Sequence, residues 1–178
     1  MQRKSKLIIS LNVLLLVVLA VAAFCVFFDE AVMVRKNMIY RVSSADKLVA
    51  LTFDDGPSPI WTPKILDELD KAGVKATFFM LGDHAEKYPA VARRVAKEGH
   101  EVGNHTYDHH VLIYYKPEEL KDEINHAERV IKNVTGVTPK YFRPPKAWLT
   151  QKEKVIIEQM GYKVILWSLN SKDWVTFH

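Results

Sequence analysis

The sequence predicts an α/β fold built on parallel strands, and three observations carry that expectation. From Lys47 onward, short apolar runs alternate with segments of helical period, joined by short links. Two of the runs lead into clusters of chemically capable residues, Thr52-Phe53-Asp54-Asp55-Gly56-Pro57 and Gly103-Asn104-His105-Thr106-Tyr107-Asp108-His109, and parallel α/β folds gather such groups at the carboxyl ends of their strands. The chain has 178 residues, whereas a complete eight-unit barrel needs about 250 residues, so the expected form is an open or incomplete (β/α) barrel.

The elements follow in order. A short strand is expected near Met38–Val42, and Leu48–Phe53 forms the first core strand. Thr62 can cap a helix with Pro63 at its first position, Ile65, Leu66 and Leu69 on one face, and Gly73 as terminator. Ala76–Leu81 is a second strand, Pro89–Glu98 a helix stopped by Gly99, and Glu101–Asn104 the run that enters the histidines. Pro117 opens a long helix with Leu120, Ile124, Ala127, Ile131 and Val134 on one stripe, ended by Gly136. Tyr141–Arg143 is a short strand. Thr150 and Glu153 form a capping-box pattern for a helix closed by Gly161, and Tyr162–Ser168 is the last apolar strand.

The N-terminus carries a different signal. Arg3, Lys4 and Lys6 precede an apolar stretch from Leu7 to Phe28. A membrane-spanning helix needs about 20 apolar residues, and a cleavable signal usually has an apolar region of about 7–15 residues. Length therefore favours an uncleaved single-pass anchor at the cell membrane, with residues 1–6 in the cytoplasm and the rest outside. The alternative is secretion after cleavage near Ala20-Val21-Ala22. The expected organisation is a tail over 1–6, an anchor over 7–28, a connector over 29–46 and the α/β domain over 47–178. Cys25 is the only cysteine and lies in the apolar stretch, which rules out an intramolecular disulfide. The formal charge of +4 comes with no dense Lys/Arg cluster, so no nucleic-acid partner is expected.

Asp54, Asp55, His105 and His109 are the inventory for metal-assisted hydrolysis. Zinc accepts imidazole nitrogen and carboxylate oxygen, and a catalytic site keeps one position open for water. His105 and His109, at i and i+4, are expected on one side of a helical turn. One aspartate completes a three-ligand site and the other is left as a base. Asp-Asp-Gly-Pro alone is an ordinary turn, and a lone pair of histidines at this spacing is common on exposed helix ends. Their joint occurrence, each after a strand, is what carries the signal. His84 and His110 are read as surface or supporting residues.

With these residues in view, the chain resembles the polysaccharide deacetylase family, also called the NodB-homology or carbohydrate esterase family 4 domain, from Lys47 to Trp174. Thr52–Pro57 is similar to the first family motif and His105–His109 to the second. Phe142-Arg143-Pro144-Pro145 resembles the third, and Trp167-Ser168-Leu169-Asn170 with Asp173 and Trp174 resembles the fourth. The resemblance implies a NodB-type open barrel and a hydrolase that removes N-acetyl groups from an extracytoplasmic polysaccharide, with peptidoglycan N-acetylglucosamine the substrate expected at that location and chitin-like glycan fitting the same chemistry. It implies Asp54 as general base, Asp55, His105 and His109 as ligands of a divalent metal, usually zinc, and Arg143 as the residue that orients Asp54. The backbone N–H of Lys146 is implied as an oxyanion donor, and Pro144, Pro145, Asn170, Asp173 and Trp174 as supporting or groove residues.

Three departures accompany the match. The third motif continues Lys146-Ala147-Trp148 where the family has an aromatic residue and glycine, and Asn170 stands where the family often has an acid. The family's later Leu-x-His segment, source of a general acid, has no counterpart before His178, and such an acid contributes roughly 10²–10⁴-fold. A truncated domain, or a catalytically impaired remnant that binds metal and wall glycan without turnover, is the alternative expectation.

Overall fold

The computed structural model describes residues 12–22, 38–46 and 48–171. The chain divides into two units, Met1–Asn37 and Met38–His178. In the first, residues 12–22 form a helix, α1, with exposed side chains. Among the described residues no helix is long and apolar enough to cross a membrane. Residues 7–11 and 23–28 of the expected anchor and 29–37 of the connector lie outside the described residues.

The second unit is built on a five-stranded sheet with strands in chain order: β1 (Thr52–Gly56), β2 (Thr77–Met80), β3 (Glu101–Asn104), β4 (Tyr141–Phe142) and β5 (Lys163–Val164). Every neighbouring pair is parallel, so each connection must carry the chain back along the sheet. Those connections contain α2 (Trp61–Ala72), α3 (Gly82–Lys87) with α4 (Pro89–Lys97), α5 (Pro117–Thr135) and α6 (Gln151–Gln159). Strands added in one direction are the winding of a (β/α) barrel. Among the described residues nothing pairs with the outer edge of β1, so the sheet stays open. Beyond β5, Ile39 forms an isolated parallel bridge with Ile165, and this bridge is all that the expected Met38–Val42 strand becomes.

Several boundaries differ from the sequence expectation, each for a physical reason. β1 starts at Thr52 rather than Leu48, and Leu48 and Val49 are 75% and 83% exposed, so their apolar character is not used in the core. α2 starts at Trp61, ahead of Thr62. The capping falls to Ser58, whose hydroxyl accepts from the Ile60 and Trp61 N–H groups, while the Thr62 hydroxyl accepts from Ser58 N–H. Helix α3 is absent from the sequence expectation because six residues are too few to show a helical period. The Thr150–Glu153 capping box opens α6 as expected, and the α5 stripe buries Leu120, Ile124, Ala127 and Ile131.

Leu66, Leu69, Phe78, Met80, Ala92, Val95, Val102 and Ile131 form one core layer between helices and sheet. Phe79 faces the other side, where the Arg143 guanidinium lies 4.0 Å from its ring centre. Gly103 pairs with Phe79 across the β2–β3 ladder, and a Cβ there would sit 2.4 Å from the ring. The missing side chain is what lets Phe79 turn inward under the site.

Candidate active site

The two aspartates lie within β1 rather than beyond its end. The register runs Phe53↔Phe78 and then Gly56↔Met80, which places one extra residue in β1. Such a bulge re-aims side chains. Asp55 takes a left-handed backbone at φ 60°, and its Oδ1 lies 3.3 Å from His105 Nε2 and 3.2 Å from His109 Nε2. Asp54 faces elsewhere. Its carboxylate accepts from Arg143 Nη1 at 2.6 Å.

The helical turn expected for His105 and His109 is not formed. The segment between β3 and the short 3₁₀ turn at Leu112–Tyr114 is a loop, with Thr106 at φ 74° and His109 at φ 65°. Hydrogen bonds from three sides fold it. His105 N–H donates to Met80 C=O, and the first N–H groups of α3, on Gly82 and Asp83, donate to the Thr106 and Tyr107 carbonyls. The Glu123 carboxylate on α5 accepts from Tyr107 and Asp108 N–H. Thr106 Oγ1 accepts from His109 N–H at 3.0 Å. The imidazoles therefore meet Asp55 through loop packing, and the i, i+4 spacing plays no part.

Arg143 is 2% exposed and serves four acceptors. Nη1 donates to Asp54 and to Thr52 Oγ1, Nε to Ile165 C=O, and Nη2 to Leu166 C=O. One side chain at the end of β4 thus joins β1 to the segment after β5 at the strands' carboxyl ends. Burial pushes the Arg143 pKa down, and the Asp54 charge opposes that shift. The Arg143 carbonyl takes the Nδ1–H of His105 at 2.6 Å, which turns Nε2 toward Asp55.

The donor set fits a divalent cation. One atom from each of Asp55, His105 and His109 lies within 4.8 Å of the others. Bonds of about 2.0–2.1 Å in a tetrahedral site put ligand atoms about 3.3 Å apart, the separation that Asp55 keeps from both imidazoles. The His105 contact, and then the charges of His105, His109 and His84, hold the Asp55 carboxyl below its usual range. Burial pushes His109 below its ordinary value, with the Asp55 charge opposing and the charges of His105 and Lys146 adding to the shift. An ionised carboxylate and a neutral imidazole are the forms that bind metal.

Of the remaining expected residues, Pro144 and Pro145 are buried and lead into Lys146, which with Ala147 has φ 56°. Asn170 is exposed, and Asp173 and Trp174 lie outside the described residues. His84 takes the supporting alternative, with Nδ1 2.9 Å from the Asp55 carbonyl. His110 pairs with Asp108 in solvent. Sequence reasoning missed Thr52, Asn104, Thr106 and Glu123. Thr52 and Thr106 lay inside the first two motifs without a role of their own, Asn104 was marked only as a polar residue next to His105, and Glu123 carried no signal.

Comparison with known proteins bears on this geometry. A family model described as polysaccharide deacetylase matches residues 41–165. A Bacillus cereus protein named peptidoglycan-N-acetylglucosamine deacetylase is 42% identical over 126 residues, 71% of this chain and 46% of that protein. A solved structure of a peptidoglycan N-acetylglucosamine deacetylase superposes with a TM-score of 0.73 at 40% identity, covering 77% of this chain and 64% of that one. A carbohydrate esterase family 4 pseudoenzyme from Bacillus anthracis does so with a TM-score of 0.73 at 29% identity, covering 76% and 48%. The chain spans less than two thirds of the length of each of these proteins.

Proposed function

The chain belongs to the polysaccharide deacetylase family, and from that premise we propose that it is a metal-dependent hydrolase that removes N-acetyl groups from peptidoglycan N-acetylglucosamine outside the cytoplasmic membrane. The observation that carries this reading is the separation of two adjacent carboxylates: Asp55 at 3.2–3.3 Å from two imidazoles, and Asp54 held by Arg143. Asp55, His105 and His109 hold a divalent cation, with zinc the natural occupant of a two-His, one-carboxylate set. When bound, the cation supplies Lewis acidity toward water and the acetamide carbonyl. Asp54, fixed by its hydrogen bond from Arg143, removes the proton from the attacking water. The Lys146 N–H, presented by the left-handed turn after two buried prolines, receives the charge that develops on the acetamide oxygen, a contribution of about 3–4 kcal/mol per donor. The products are acetate and a free amine on the sugar. The peptidoglycan assignment is supported by the names of the relatives, and the location by the basic-then-apolar N-terminus.

The test is acetate release from N-acetylglucosamine polymers by the full chain, with and without a chelator. Activity that survives both chelation and Asp54→Asn ends this reading. A second reading is a remnant that binds metal and glycan without turnover. Asn170 and the Lys146-Ala147 departure favour it, as does the likeness to a family 4 pseudoenzyme. Stoichiometric metal with no acetate released would select it.

A further inference from the structure

We propose that Glu128, Tyr162 and Asn104 form a relay of positioning residues that sets the conformation of the metal-ligand loop from α5 and the residue just ahead of β5. This inference rests on the metal-site reading above.

Asn104 is fully buried at the end of β3, directly before His105. Its Nδ2 donates to Ile124 C=O and to Tyr162 Oη, each at 3.0 Å, and its Oδ1 accepts from Thr106 N–H at 2.9 Å. Thr106 in turn accepts from His109 N–H through its hydroxyl. The Tyr162 hydroxyl donates to Glu128 Oε2 on α5 at 2.5 Å. Hydrogen bonds thus run without a break from a half-buried carboxylate to the backbone of His109.

The direction of the relay is dictated by donor and acceptor chemistry. An ionised carboxylate only accepts, and a phenol has one proton. Glu128 therefore accepts the Tyr162 O–H hydrogen bond, which leaves the phenol oxygen as an acceptor. Only the NH₂ side of Asn104 can satisfy that oxygen, which joins the Ile124 carbonyl in turning the amide carbonyl toward Thr106 N–H. Burial and Glu128 both push the Tyr162 pKa up, so the phenol keeps its proton. With Asn104 reversed, two donors would oppose each other at Thr106 and two acceptors at Tyr162, all out of reach of water. The forced orientation holds Thr106 in its left-handed conformation, and Thr106 holds His109. Neither Glu128 nor Tyr162 touches the cation site.

The test is zinc affinity by calorimetry and the visible spectrum of the cobalt(II) form, measured on the full chain. Tyr162→Phe and Glu128→Ala are each expected to weaken metal binding by about tenfold to a hundredfold and to shift the cobalt spectrum, and Glu128→Gln, which keeps an acceptor, to recover most of the loss. Val95→Ala, a core truncation on α4, is the control for destabilisation alone and should leave affinity within about twofold. Lower thermal stability in Tyr162→Phe with wild-type affinity and spectrum would overturn the relay. If Tyr162→Phe does not fold, Glu128→Ala decides on the same readouts. Absence of metal binding in the unaltered chain would remove the metal-site reading and the relay with it, whereas wild-type binding with unaffected variants removes the relay alone.

Discussion

Asp54 and Arg143 meet at 2.6 Å, and that contact gives two neighbouring aspartates different work. The bulge in β1 points Asp55 at the imidazoles, and the guanidinium holds Asp54 away from them. Asp54→Asn is expected to lower acetate release by about 10²–10⁴-fold with metal content unchanged. Arg143→Lys removes a planar fork that serves four acceptors, which an ammonium cannot reproduce. Unfolding in denaturant should show a loss of about 3 kcal/mol or more, together with the loss of activity. Full activity in Asp54→Asn would mean that another group takes the proton.

A cation held by the native triad adds its binding energy to the fold. At a metal concentration of about 100 times Kd the gain is about 2.7 kcal/mol, visible as a rise in Tm when zinc is added. Asp55→Asn and His105→Ala should each abolish most of that rise. Because the readout is thermal, it separates metal binding from turnover. An equal rise in the variants would place the cation elsewhere.

Stability should also depend on pH through His100, far from the metal ligands. The ring is buried against Phe78 and its Nδ1 accepts from Ala76 N–H at 3.2 Å. Burial pushes its pKa below the ordinary 6.5, with Lys75 adding to the shift and Glu98 opposing it. The unfolded chain then binds the proton more readily than the folded one, so stability rises with pH in the interval between the two values. The contribution is complete above pH about 6.5 and is lost progressively as pH falls below it. His100→Asn, whose Oδ1 stands near the Nδ1 position, should flatten that part of a Tm-against-pH curve. An unchanged slope would assign the dependence to other groups.

How much of this was legible beforehand depends on the range of the interaction. Helices α5 and α6 were readable because an apolar stripe and a capping box are local patterns. Convergence of the two imidazoles with one of the two carboxylates was readable because their chemistry is unusual at strand ends, and the choice of Asp55 over Asp54 came from the family resemblance alone. The manner of convergence was not. His105 and His109 were expected on a helical turn, and they meet Asp55 through a loop folded by contacts with β2, α3 and α5. The Glu128–Tyr162–Asn104 connection was invisible because it joins residues far apart in sequence. β1 was displaced because Leu48 and Val49 look like core and face solvent.

The turn at Lys146-Ala147 offers a prediction specific to this chain. Both residues sit at φ 56°, where an L side chain crowds its own carbonyl at a cost of roughly 1–2 kcal/mol per residue. Ala147→Gly removes that crowding, and the greater freedom of glycine in the unfolded chain offsets it by about 0.5–1 kcal/mol. The net expectation is a small stabilisation of about 0.5 kcal/mol, a Tm rise of about 1–2 °C for a chain this long. Ala147→Val is expected to go the other way by at least about 1 kcal/mol, since a β-branched residue resists positive φ more than alanine does. It should also lower acetate release if the Lys146 N–H in the same turn is the oxyanion donor proposed above. Opposite signs for the two substitutions in paired thermal unfolding experiments would establish the left-handed turn, and destabilisation by both would exclude it.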